Sequence, residues 1–185
     1  MKKVMFVALF AIGASASFAQ SNIKKGDWML GGSVGFSSAK YDNAESSYKE
    51  FNLSPDAGYF FIKQLAGGVR LNLTSSSYED VTTEKNTQVM ISPFVRYYFL
   101  PSTQKLNIFA DASYGFGNVK STGAATSEYK ISGFAGKAGV AYFITPATAL
   151  EFSLGYNSSK EEGASERYNT IMTGLGLQIH LPGKK

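Results

Sequence analysis

Six ionisable residues stand apart in this chain: Asp56, Arg70, Arg96, Asp111, Lys137 and Glu151. Each sits in a stretch of mainly small or apolar neighbours, and three are acidic while three are basic. Charges in such settings are tolerated when they pair. The set therefore predicts a salt-bridged network rather than a reaction centre. His180 is the sole histidine, and there is no cysteine. No Cys, His and carboxylate spacing matches a metal site or a nucleophilic dyad. We assign no catalytic, cofactor-binding or metal-binding residue, expect no cofactor, and expect the protein not to be an enzyme.

The elements that must position these charges read as strands. From Asp27 to Ser38, Trp28, Leu30, Gly32, Val34 and Phe36 fall on one face, with Met29, Gly31, Ser33 and Gly35 on the other. That period-2 alternation marks a strand with two unlike faces. The same pattern recurs around Phe51–Phe61, Leu65–Thr74, Val89–Phe99, Leu106–Phe116, Phe134–Ile144, Leu150–Asn157 and Ile171–Leu181. In each case the isolated charges share the face of Gly, Ser, Ala and Asn. About eight strands result, joined alternately by short turns and by polar segments at 40–49, 75–87, 117–128 and 158–167 that read as loops. Pro55 and Pro93 fall inside strands, where a missing N–H predicts local bulges.

Three strand ends repeat one phrase: Tyr59-Phe60-Phe61-Ile62, Tyr97-Tyr98-Phe99-Leu100 and Tyr142-Phe143-Ile144. Aromatic side chains settle where an apolar phase meets water. One belt near the short turns comprises Trp28, Tyr59, Phe61, Tyr97, Phe99 and Tyr142. A second, near the polar segments, comprises Phe36, Phe51, Tyr114, Phe116, Tyr156 and Tyr168. Between Trp28 and Phe36 a strand rises roughly 26 Å, or roughly 19 Å along the membrane normal at a tilt near 45°. Two belts so spaced suit a thin hydrocarbon slab. A soluble barrel gives the same alternation with its faces exchanged, but its solvent face would be rich in Lys, Glu and Thr. Here the less apolar face is small and sparsely charged. The fold class predicted is all-β: an eight-stranded antiparallel up-and-down transmembrane barrel.

The first residues are read separately. A basic start at Lys2 and Lys3, an apolar run from Val4 to Ile12 and small residues before Gln20 form a secretory signal peptide. This divides the chain into a signal peptide, 1–19, and a barrel domain, 20–185. Without Lys2 and Lys3 the formal charge falls from +4 to +2, and no basic stripe points to nucleic acid. The absence of cysteine fits an exported chain held by a closed sheet rather than by disulfides.

With its Gly-rich first strand, its Tyr-Phe-Phe, Tyr-Tyr-Phe and Tyr-Phe-Ile strand ends and its final strand Gly176-Leu177-Gln178-Ile179-His180-Leu181, the chain resembles the small Gram-negative outer-membrane β-barrels. These are the OmpX-like and OmpA-transmembrane-domain group, including porin-family chains. The resemblance implies an outer-membrane monomer in contact with lipid and lipopolysaccharide, delivered by the barrel-assembly machinery. That machinery reads an aromatic last residue in such families, where this chain has Leu181. Barrel enzymes with a His-Ser site carry it toward the outer leaflet, whereas alternation places His180 inside at the opposite end. The function expected is structural, with surface interaction through four extracellular loops bearing Tyr41, Tyr48, Tyr78, Tyr129 and Tyr168 and a lumen plugged by polar and charged side chains. A narrow channel for small solutes or ions, and a soluble lipocalin-like ligand-binding barrel, are the alternatives.

Overall fold

A computed structural model describes residues 23–40, 47–79, 83–101, 104–123 and 125–183. The signal peptide read at 1–19, and Tyr41, lie outside the described residues. Eight strands follow one another: β1 (Trp28–Lys40), β2 (Ser47–Ile62), β3 (Leu65–Glu79), β4 (Thr83–Tyr98), β5 (Leu106–Thr122), β6 (Thr126–Phe143), β7 (Thr148–Glu161) and β8 (Tyr168–Leu181). Each pairs antiparallel with its neighbours in sequence, and β8 returns to β1 to close the barrel. Closure leaves no full-length edge, which is the condition for a sheet to sit in lipid.

Alternation sets the two faces. Leu30, Val34, Val69, Val95, Ile108, Phe152, Leu154 and Leu175 point outward and are exposed, while Asp56, Arg70, Arg96, Asp111 and Glu151 are buried in the lumen. A soluble barrel would show the reverse.

The polar segments read as loops are largely strand. Residues 47–49, 75–79, 83–87, 117–122, 126–128 and 158–161 belong to paired strands, and the hairpins reach Lys40↔Ser47, Glu79↔Thr83 and Thr122↔Thr126. Polarity there marks where the sheet leaves the apolar band, while cross-strand hydrogen bonding continues. The connections at this end shrink to 41–46, 80–82, 123–125 and 162–167.

The prolines also differ from expectation. Neither produces a bulge: pairing of β2 with β3 lapses between Leu53↔Leu73 and Asp56↔Arg70 and resumes in unchanged register. Pairing of β4 with β5 does the same between Ile91↔Phe116 and Phe94↔Ser113. Each proline costs ladder bonds on one side only, because its other neighbour still pairs: Gly32↔Pro55 and Val69↔Pro93. Gly32 is what allows the first approach, since a Cβ there would stand 2.7 Å from Pro55 Cα. The register shift lies at Phe60–Ile62 instead, beside the two-residue turn Lys63-Gln64. Gln64 holds a left-handed φ of 70°, which costs a non-glycine residue energy. Its side-chain amide offsets this by donating to Tyr98 O at 3.0 Å and Leu100 O at 2.8 Å, which ties two turns together.

Candidate functional site

The lumen is built in three layers. At the short-turn end lies an apolar floor. Each aromatic triplet alternates, so Tyr59, Phe61, Tyr97, Phe99 and Tyr142 face outward while their central partners Phe60, Tyr98 and Phe143 turn in and are buried. Met29, Ala66, Phe94, Phe109, Ala141 and Ala149 complete this core with Ile23, which lies just before β1. His180 is boxed by Phe60, Tyr98 and Phe143 at ring separations of 5.8, 5.7 and 5.4 Å. Neither of its ring nitrogens has a hydrogen-bond partner among the described residues. It packs as a ring among rings.

Above the floor lies the charged layer. Arg70 bridges Asp56 (Nη2–Oδ2 3.1 Å) and Asp111 (Nη2–Oδ2 2.7 Å). Arg96 bridges Asp111 (Nε–Oδ2 3.1 Å) and Glu151 (Nη1–Oε1 2.9 Å), with Asp56 at 3.9 Å. The Tyr98 hydroxyl donates to Glu151 at 3.2 Å, and Gln178 Nε2 donates to Asp56 Oδ1 at 3.1 Å. The guanidiniums also rest on floor rings, Arg70 at 4.6 Å from Phe94 and Arg96 at 4.5 Å from Phe109. Charges this buried are stable only with multiple hydrogen-bonded partners. Five of the six expected charges are thus brought together. Lys137 sits opposite Asp111 in the β5–β6 register but forms no ion pair within 4.0 Å among the described residues.

Toward the long hairpins the layers give way to a hollow of about 420 Å³. Its wall carries a chain of neutral hydrogen bonds: Asn52 to Thr74 at 2.8 Å, Ser54 to Asn72 at 3.1 Å and Asn72 to Ser92 at 2.8 Å. Arg70, Asp111 and Lys137 line it, as do Ser113, Gly115 and Ser153. No cluster of three His, Asp or Glu suited to a metal occurs among the described residues.

All twelve aromatics expected at the two ends of the apolar band face outward and are exposed: Trp28, Tyr59, Phe61, Tyr97, Phe99 and Tyr142 at one end, Phe36, Phe51, Tyr114, Phe116, Tyr156 and Tyr168 at the other. Trp28 packs edge-on against Tyr59 at 5.1 Å, as does Tyr97 against Phe99 at 5.0 Å. Sequence reasoning missed the aromatic floor. The signal was present in the triplets, whose middle member must point opposite to its flanks.

An apolar-out, charge-filled, closed eight-stranded barrel defines an integral membrane β-barrel. The chain matches the model of the outer membrane protein beta-barrel domain family over residues 6–179 and belongs to that family, whose members reside in the outer membrane. Its fold resembles that of neisserial surface protein A (TM-score 0.54, 18% identity, covering 84% of this chain and 97% of that one). It also resembles the outer membrane protein OprG from Pseudomonas aeruginosa (0.53, 13%, covering 89% and 100%). A third likeness is to the N-terminal β-barrel domain of Pseudomonas aeruginosa OprF (0.51, 17%, covering 85% and 98%). No curated protein sequence matches.

Proposed function

We propose that this protein is a non-enzymatic, structural outer-membrane barrel that meets its surroundings through its four long hairpins, with its lumen closed to solutes. One observation carries this reading. Two arginines and three carboxylates, interlocked at 2.7–3.1 Å, lie on an aromatic floor in which Phe60, Tyr98 and Phe143 surround a buried His180. A wide aqueous path would need those charges apart and hydrated. The hairpins project toward the cell surface, the short turns lie in the periplasm, and residues 1–19 are removed on export. The two aromatic girdles anchor the barrel at the membrane interfaces. At the outer rim, Lys130 and Lys160 line a cleft with Glu161, Glu162, Phe116 and Ile131, and Lys130 pairs with Glu162 at 3.4 Å; the barrel's outer surface meets lipid and lipopolysaccharide. The barrel-assembly machinery inserts the chain, and the barrel is monomeric.

The test is electrical. Reconstituted in planar bilayers, the protein should show no steady conductance, while Arg96→Ala/Glu151→Ala should leak. Steady conductance in the wild type would establish the narrow-channel alternative. Recovery from cells as a detergent-free soluble monomer would favour neither and would remove the barrel from the membrane altogether.

A further inference from the structure

The barrel wall is not uniformly closed. Neighbouring strands share twelve or more register pairs, but β1 and β8 share seven, from Trp28↔Leu181 to Val34↔Leu175. Beyond that point β1 continues to Lys40 and β8 begins at Tyr168, yet the two do not pair. The backbone groups facing each other from Gly35–Lys40 and Tyr168–Gly174 form two short open edges. Phe36 and Ile171, one on each edge, are 72% and 76% exposed, against 54% and 53% for Tyr114 and Phe116 in the paired part of the wall. The hollow reaches this gap. It is lined there by outward-facing Val34, Phe36, Ile171 and Thr173 as well as by inward-facing Ser33, Met172 and Gly174. An inward-facing methionine, Met172, is correspondingly 41% exposed.

Strand edges left unpaired at the outer aromatic girdle hold backbone donors and acceptors that a bound polar group can satisfy. Lys137 lines the same hollow and carries a charge that no carboxylate among the described residues meets within 4.0 Å. Asp111, the nearest acid in register, is already held by both arginines. Glu50 is the other acid on the wall. We propose that the β1–β8 gap is a lateral notch through which a long-chain fatty carboxylate enters from the outer leaflet. Its carboxylate is received by Lys137 beside Arg70, and its acyl chain lies out through the notch against Phe36 and Ile171. The unpaired amides of the two edges provide hydrogen bonds to the headgroup along its path. The charged layer beneath stops it, so the site is a pocket for capture at the membrane and not a conduit. The outer-leaflet placement rests on the orientation proposed above; the notch and the cation do not.

The test uses the full mature chain refolded in dodecylmaltoside, with [1-¹³C]palmitate as probe and heat-modifiable migration as the criterion of folding. One saturable carboxylate resonance should appear. Lys137→Gln should weaken binding by tenfold or more, and Lys137→Arg should restore it. A nitroxide at the chain end should broaden the amides of Phe36 and Ile171 well beyond those of Tyr114 and Phe116. Should Lys137→Gln fail to fold, Met172→Trp, which narrows the notch and leaves the lysine in place, should lower affinity by a similar factor. Absence of saturable binding, equal affinity in wild type and Lys137→Gln, or broadening spread evenly around the barrel would each overturn the proposal. So would saturable binding of a lysophosphatidate with none of palmitate. A barrel that folds and resists heating yet binds no palmitate would leave the membrane reading intact while removing this one.

Discussion

The two halves of the lumen are built on opposite principles. At the short-turn end, rings, guanidiniums and carboxylates fill the space, and every wall strand contributes a buried side chain. Toward the long hairpins the same strands place Gly, Ser and Asn inward around a hollow, and one wall seam lapses. The difference teaches that a narrow barrel can concentrate its stabilising contacts in half its length. The sheet supplies backbone pairing in both halves, but only the filled half adds side-chain packing and ion pairing, which leaves the hollow half free to bind.

Six substitutions sharpen this contrast. The largest effect is expected for Arg96→Ala, which strands Glu151 without a counter-ion, leaves Asp111 to Arg70 alone, and should cost about 3–5 kcal/mol in urea unfolding from lipid vesicles. Adding Glu151→Ala should cost less than the two single changes together; strict additivity would mean the pair is solvated. Phe109→Ala removes a floor ring and the surface under Arg96, and should also cost about 3–5 kcal/mol in the same assay. Leu154→Arg comes next. Leu154 is 57% exposed to lipid, and Arg there should cost about 2–4 kcal/mol if it lies near the midplane. Its neighbour Ser153, 9% exposed on the lumen side, should respond to arginine through crowding, with added charge repulsion from Lys137. Equal tolerance at both positions would reverse the two faces. The smallest effect is expected in the hollow: Asn72→Ala breaks hydrogen bonds to Ser54 and Ser92 where water can replace them, for about 1 kcal/mol. A loss there as large as at Phe109 would erase the distinction between the halves.

The barrel was legible because lipid and lumen impose unlike chemistry on alternate residues, so parity alone assigned Asp56, Arg70, Arg96, Asp111 and Glu151 to one interior. What parity could not supply was height along the barrel. Lys137 has the right face, yet it stands clear of the ion pairs, and only three-dimensional stagger decides that. Only the outward members of the aromatic triplets were assigned to a girdle, and the part played by their middle members Phe60, Tyr98 and Phe143 as a packed floor went unread. Hydropathy treats all three members of such a run alike, and only the pleat separates them. Polar stretches such as Lys85–Thr87 and Asn118–Thr122 were taken for loops because strand pairing above the apolar band asks nothing of hydrophobicity. The seam was invisible altogether, since nothing in Gly35 or Gly174 announces which bonds the opposing strand omits.

That seam also bears on how the chain reaches its closed form. The hairpin pairs join residues near in sequence, whereas β1 meets β8 only after the chain has come full circle, and joining distant ends carries the greatest loop-closure entropy. The junction with most to overcome has the shortest ladder. Its deficit is made up from side chains that span the join: Gln178 of β8 donates to Asp56 of β2, and Gly183 N donates to Asp27 Oδ1 just before β1. Asp56 is in turn fixed by Arg70. The interior charges therefore serve as the clasp of a bracelet, completing during assembly a ring that backbone pairing alone holds least firmly.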